Sequence, residues 1–282
     1  MKLRAPGPKP IRIAGVRPNE GVKADYRKRL LALIDAMHKD VLRAVSRAYK
    51  ATPPHALLAK DASPAAANRA VTKALARKWG KTFADAADKI AAHFADEVLK
   101  HNDFALNRTL RDAGFSVKFQ TTRSMNDAYQ AVRHENVGLI KSIPQQHLND
   151  VEGMVQRSVQ HGHDMGQLSK DLQARYEVTK RRAALIARDQ NAKATAVMNK
   201  VRKLDLGIKK SRWIHTMASK APRESHEDMN GTLFDTADGC YDKEYGDFVQ
   251  PGELICCGCI AEGIIPGMDD DESEAGGDDE AA

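Results

Sequence analysis

Up to Gly207 the apolar residues of this 282-residue chain recur at steps of three and four, and beyond it they do not. That break constrains the fold more than any single motif. Tyr26, Leu30, Leu33, Met37, Val41 and Val45 give the stripe of a helix over 22–50, with Lys23, Arg27, Lys28, Lys39, Arg43 and Arg47 on its other faces. Pro53-Pro54 ends it. Ser63-Pro64 is a helix start, with serine as cap and proline in the first turn, and an Ala-rich helical stretch runs on to about Asp112. Gly80 is expected to break that stretch and Thr82 to recap it; Phe83, Ala87, Ile90, Phe94 and Val98 form its apolar face. Phe115–Phe119 alternates apolar and polar residues and predicts a short strand. Helical spacing returns over 122–142, and Pro144 is expected to open a further helix carrying Leu148, Val151, Val155 and Val159. After a turn at Gly162 and Gly166, Ser169 is expected to cap a short helix through Tyr176, and Thr179 a long one to Leu206.

Aromatics make up only 5% of the chain, so the core must be built largely of Ala, Leu, Val and Ile. Alanine loses no side-chain entropy in a helix, which favours the same class. Past Gly207, Ser211–Met217 predicts a strand, residues 218–262 are rich in turn-forming Gly and Pro, and the acidic stretch from Asp269 is expected to be disordered. The fold class predicted is mainly α with a small α+β C-terminal domain and a disordered acidic tail. The divisions expected are an extended basic arm over 1–19, a helical N-terminal domain over 20–164, a C-terminal domain over 165–268 and the tail over 269–282.

The net charge of +6 conceals an asymmetry. Residues 269–282 hold eight acids and no base, which leaves +14 on residues 1–268. A body this basic favours an anionic partner, nucleic acid or an acidic protein surface. Twelve bases and three acids fall between Arg175 and Arg212. Arg181, Arg182, Arg188, Lys193, Lys200, Arg202, Lys203, Lys209 and Lys210 are therefore the candidate DNA- or partner-binding set, although they wrap around the helix rather than share one stripe. A solvated cationic helix fits the same residues. No apolar run approaches the roughly 18 residues that a membrane span requires, so no membrane association is expected.

His215, His226, Cys240, Cys256, Cys257 and Cys259 are the one cluster with metal-ligating chemistry. Imidazole nitrogen and thiolate sulfur suit tetrahedral zinc, and His226, Cys257 and Cys259 are the candidate ligands. The paired C-x2-C units of common zinc domains are missing. The other reading is that these side chains pack and hydrogen-bond to pin a loop. No sequence motif requires a cofactor, and zinc is the single ion the residues suit. No phosphate-binding Gly loop, dinucleotide fingerprint or H-E-x-x-H is present. A Cys–His–acid nucleophile can be assembled on paper from Cys257 or Cys259 with His226 and Glu227, but without a recognisable local signature. No catalytic residue is assigned.

Leu185-Ile-Ala-Arg-Asp-Gln-Asn191, Trp213-Ile-His215, Arg223-Glu-Ser-His226, Gly231, Pro251-Gly-Glu253, Cys257-Gly-Cys259 and Pro266 follow one another in a recognisable order. Together they resemble the C-terminal domain of the phage head morphogenesis family, the minor head proteins similar to the F protein of phage Mu, over about 165–268. Asp189 stands where many relatives carry Glu, Gly258 where many carry Arg, and Cys256 where many carry Asn. The resemblance implies a non-enzymatic minor head protein of a phage or prophage. Its partners would be the portal protein and other head proteins, with DNA as a further partner through the basic set. It would sit in the virion, and in the host cytoplasm during assembly. Trp213, Arg223, His226, Gly231, Cys257 and Cys259 would be its structural residues. A metal-dependent enzyme acting on DNA and a plain DNA-binding module are the other two classes that the chemistry suggests.

Overall fold

The computed structural model describes residues 10–51, 64–161, 164–216 and 222–266. The cap at Ser63, the turn at Gly162, the end of the expected strand at Met217 and the acidic tail lie outside the described residues. The elements in chain order are β1 (Ile11–Ile13), α1 (Glu20–Ala51), α2 (Pro64–Asp112), α3 (Arg123–Gln160), α4 (Met165–Asp205), β2 (Lys210–Ile214), α5 (Glu224–Asp228), β3 (Leu233–Asp235), β4 (Cys240–Asp242), β5 (Asp247–Val249) and β6 (Ile260–Ile265). The chain is thus mainly helical, with its strands small, antiparallel and concentrated at the C-terminal end. None of the described helices is long and apolar enough to cross a membrane.

The helices are fewer and longer than the sequence signals suggest. Gly80 does not break α2, which runs unbroken from Pro64 to Asp112. One glycine in a helix costs only about 1 kcal/mol, and Trp79, Phe83, Ala87, Ala91 and Phe94, all buried, hold the helix on both sides of it. The Thr82 hydroxyl donates to the Lys78 carbonyl at 3.0 Å instead of capping a new helix. Pro144 lies inside α3 rather than at the start of a helix. Its missing N–H and ring clash are tolerated because Ile140, Ile143, Leu148 and Val151 bury the helix before and after it. Neither Ser169 nor Thr179 is a cap, since α4 is continuous. Asp164 caps it, its Oδ1 accepting the amides of Gly166 at 2.8 Å and Gln167 at 3.0 Å.

The described chain forms two compact units. Unit 2 takes residues 20–97 and 130–190, all helical stretches and their joins. Its interior is lined by Tyr26, Leu30, Ile34, Met37, Phe83, Phe94, Ile140, Leu148, Val155 and Leu172. Tyr26 stacks on Phe94 with ring centroids 4.4 Å apart. The Tyr26 hydroxyl donates to Asn136 Oδ1 at 2.8 Å, and the Asn136 amide donates in turn to Gln190 Oε1 at 2.9 Å. A buried polar chain of this kind is fully satisfied only in one packing, which fixes the register of the helices.

Unit 1 takes residues 1–19, 98–129 and 191–282 as far as they are described. Its four-stranded sheet has the order β1-β6-β2-β3, and β4 and β5 form a separate hairpin. All pairs are antiparallel: Ile11 faces Ile265, Trp213 faces Ala261, and Ser211 faces Phe234. Part of the expected extended arm is therefore an edge strand. The strand expected at Phe115–Phe119 does not form. Gly114, at φ 91°, ends α2 in a left-handed turn, and the Phe115 amide donates back to the Leu110 carbonyl at 2.8 Å. Asn107 takes the Val117 carbonyl at 3.3 Å, so the backbone groups of this segment go to a helix. Its apolar side chains still pack, against a core of Ile13, Val16, Leu106, Leu110 and Ile208. Gly207 closes α4 as expected, at φ 74°, with the Ile208 amide on the Lys203 carbonyl at 2.9 Å.

Candidate functional site: a buried histidine–cysteine cluster

The second core of unit 1 is Trp213, Met229, Phe234, Cys240, Val249, Cys257 and Cys259. Trp213 is fully buried at its centre, edge-on to His226 at 5.0 Å and to Phe234 at 6.2 Å. β2 delivers Trp213 because alternate residues of that strand, Ser211 and Trp213, point inward. Gly231, at φ 88°, lets the chain turn back onto β2, where its amide donates to the Trp213 carbonyl at 2.8 Å. Arg223 precedes the short helix α5 and donates to the Ile255 carbonyl at 3.1 Å, tying that helix to the cysteine loop.

α5 carries His226 into this core, and the loop before β6 carries Cys257 and Cys259 to meet it. His226 Nδ1 lies 3.3 Å from Cys257 Sγ and 3.7 Å from Cys259 Sγ. His215 Nδ1 is 3.5 Å from Cys259 Sγ. The loop reaches this shape through Cys256, whose φ of 57° is a left-handed conformation rare for a residue with a Cβ. Local strain of this sort costs about 1–3 kcal/mol and persists where the surroundings fix it. Gly252, at φ 89°, gives its amide to Cys257 Sγ at 3.4 Å.

The far side of the imidazole is also occupied. His226 Nε2 lies 3.2 Å from Asp242 Oδ2, close enough for an ion pair though not aligned as a hydrogen bond. Asp242 ends β4 and is itself wholly buried. Burial opposes its ionisation, but Ser225 and the amides of Tyr245 and Glu244 outweigh that and hold its carboxyl below the usual value. The Cys259 thiol donates toward Cys257, which lowers the Cys257 thiol to about 5 and raises that of Cys259. Sequence reasoning found His226, Cys257 and Cys259 through their chemistry and missed Asp242. An aspartate before a turn, in Asp242-Lys-Glu-Tyr-Gly246, signals only the turn that it makes by accepting the Glu244 amide at 2.9 Å.

The order Cys257–His226–Asp242 is that of a nucleophile, a base and an orienting carboxylate. All three are nonetheless buried, with Cys257 at 4% and His226 at 2% exposure. The small cavity beside Cys259 is lined by Ala192, Lys203 and Ala261 and reaches neither Cys257 nor His226.

The basic set divides by environment. Arg181 and Arg188, in unit 2, and Lys209 and Lys210, in unit 1, are exposed. Arg182 donates to Ser142 Oγ at 2.8 Å, Lys193 is half-buried, and Lys200 donates to the Ala237 carbonyl at 2.6 Å. Arg202 and Lys203 are turned into unit 1 and offer nothing to a phosphate. Arg202 grips Asp103 with two parallel bonds, Nε to Oδ1 at 2.7 Å and Nη2 to Oδ2 at 2.8 Å, and gives Nη1 to the Gln120 carbonyl at 2.6 Å. Lys203 is fully buried with Nζ on the Ala261 carbonyl at 2.5 Å, and burial lowers its pKa to about 7.

Residues 149–262, from the second half of α3 into β6, match the family described as Phage Mu protein F like protein. Over that segment the chain is similar to Phage Mu F-like proteins. An uncharacterized protein of Haemophilus influenzae is 27% identical over 281 residues, covering 96% of this chain. The chain spans 58% of the length of that relative. No solved structure matches the chain.

Proposed function

We propose that this protein is a non-enzymatic minor head protein that acts in head morphogenesis at the portal vertex. The observation that carries this reading is the match of residues 149–262 to the Mu F-like family, taken with a site that is sealed rather than open to substrate. The portal protein and other head proteins are the partners proposed, and the virion, reached through the host cytoplasm, is the location. The exposed cations Arg181, Arg188, Lys209 and Lys210 extend the proposal to packaged DNA. Deleting the gene from its phage or prophage and complementing with the full chain tests the assembly role. Loss of DNA-filled heads that only the full chain restores is expected, and normal heads without it would refute the reading. For the DNA contact, Lys209→Ala with Lys210→Ala should flatten the slope of log affinity against log salt by about 2. An unchanged slope would remove DNA from the proposal and leave the protein partners.

A further inference from the structure

We propose that His226, Cys257 and Cys259 hold a structural zinc ion in unit 1, with His215 as the fourth ligand and Asp242 as the carboxylate that orients His226. The inference does not depend on the head-assembly role.

The distances fit a zinc shell. Zinc binds sulfur at about 2.3 Å and imidazole nitrogen at about 2.0–2.1 Å, so tetrahedral geometry separates the two ligand atoms by about 3.6 Å. The three N–S distances here are 3.3, 3.7 and 3.5 Å. The ligand atoms of His226, Cys257 and Cys259 all lie within 4.8 Å of one another. His215 joins the set through Cys259 alone and has to swing toward the other two ligands to complete the shell.

The outer shell supports the same assignment. A histidine that binds metal through one ring nitrogen donates its other N–H to a carboxylate, which fixes ring and tautomer. His226 turns Nδ1 to the sulfurs and Nε2 to Asp242 Oδ2, while Asp242 Oδ1 is held by the Glu244 and Tyr245 amides. His226 Nε2, His215 Nε2 and Asp242 Oδ2 are buried and have no hydrogen-bond partner among the described residues. A metal on the Nδ1 atoms requires both Nε2 atoms to carry protons and gives the Asp242 carboxylate a fixed donor. The Gly252 amide on Cys257 Sγ supplies the N–H to sulfur bond that a thiolate accepts. Two sulfurs and two imidazoles leave no open position, and His226, Cys257 and Cys259 are buried, so the site is structural and not catalytic.

The test is zinc content and cobalt spectroscopy on the purified, reduced full chain. One zinc per chain is expected. After removal by a chelator, added Co(II) should give the intense thiolate-to-metal absorption and the visible bands of a tetrahedral centre. Asp242→Asn, which keeps every ligand, should weaken zinc binding by about 10–100-fold, and His215→Gln should weaken it and alter the cobalt bands. Cys257→Ser and Cys259→Ser should each lose the ion. If those two fail to fold, the cobalt titration of the unaltered chain decides. Zinc well below one per chain, with no thiolate absorption on adding cobalt or zinc, would overturn the site. A metal-free chain whose Cys257 is alkylated rapidly, and slowly in His226→Gln, would overturn it in favour of a reactive thiolate.

Discussion

Lys203→Met should make the protein more stable at pH 7 and less stable at pH 10. Lys203 has no exposed surface, and its amine meets only the Ala261 carbonyl, at 2.5 Å. Burial lowers its pKa from the usual 10.5 to about 7, with Glu262 opposing weakly. In the unfolded chain the group keeps its ordinary value, so between pH 7 and 10.5 the unfolded state binds more protons. Stability therefore rises with pH across that window. The drop to about 7 corresponds to about 5 kcal/mol over the whole titration and to about 4 kcal/mol at pH 7. Methionine has a similar length and no charge, so it removes this cost and forfeits only the hydrogen bond, about 1–3 kcal/mol with the carbonyl left buried. The net gain at pH 7 is then about 1–3 kcal/mol, and it reverses by pH 10, where the folded-state lysine is neutral and the remaining charge cost falls below about 1 kcal/mol, less than the lost hydrogen bond. Urea denaturation of both proteins at half-unit steps from pH 6.5 to 10 reads the difference directly. A gap between the two that stays constant within about 1 kcal/mol would refute the argument, because it would mean that Lys203 reaches water and titrates normally.

Further outcomes follow from other contacts in unit 1 and from α2. Arg202→Leu should cost about 3–5 kcal/mol in denaturant titration, since Asp103 and the Gln120 carbonyl lose their partner together; Arg202→Lys should recover little of it, because an ammonium cannot reproduce the two parallel bonds. Gly239→Ala should destabilise by about 2 kcal/mol or more, for its φ is 100° and the new Cβ would stand 2.6 Å from the Val249 carbonyl oxygen. Gly80→Ala should do the reverse, raising stability by about 0.5–1 kcal/mol, since that site is helical, exposed and free of neighbours within 4 Å. Equal effects of the two glycine substitutions would contradict both.

The helical class and strand β2 were legible because both rest on periodicity, whereas β3, β4 and β5 lie in a stretch whose Gly and Pro signal only turns. Boundaries inside the helices were not. Gly80, Pro144, Ser169 and Thr179 each carry a local signal of about 1–3 kcal/mol, and each sits in a stretch whose buried stripe outweighs it. Thr179 shows this well: its hydroxyl, which would cap a helix start, bonds the Arg175 carbonyl at 3.0 Å and meets His147 Nδ1 at 2.8 Å. β6 was lost within a region read as loop, because Glu262 and Gly263 interrupt its apolar residues and its hydrogen bonds come from β1 and β2, far away in sequence. At the site, Trp213, His226, Cys257 and Cys259 could be picked out from chemistry and order. Asp242 could not, since an aspartate that reaches a histidine across 16 residues leaves no pattern. The basic set erred in the same way: Arg202 and Lys203 count as charge in a sequence, and only the fold shows them facing inward.

The proposed place of this chain is in a phage head. Mass spectrometry of purified, DNA-filled particles from a host carrying the phage or prophage, with the portal protein as internal standard, tests it most directly. The chain should be present at low copy number comparable with the portal ring and should persist through density-gradient purification. Particles that are complete, filled with DNA and devoid of the chain would contradict it.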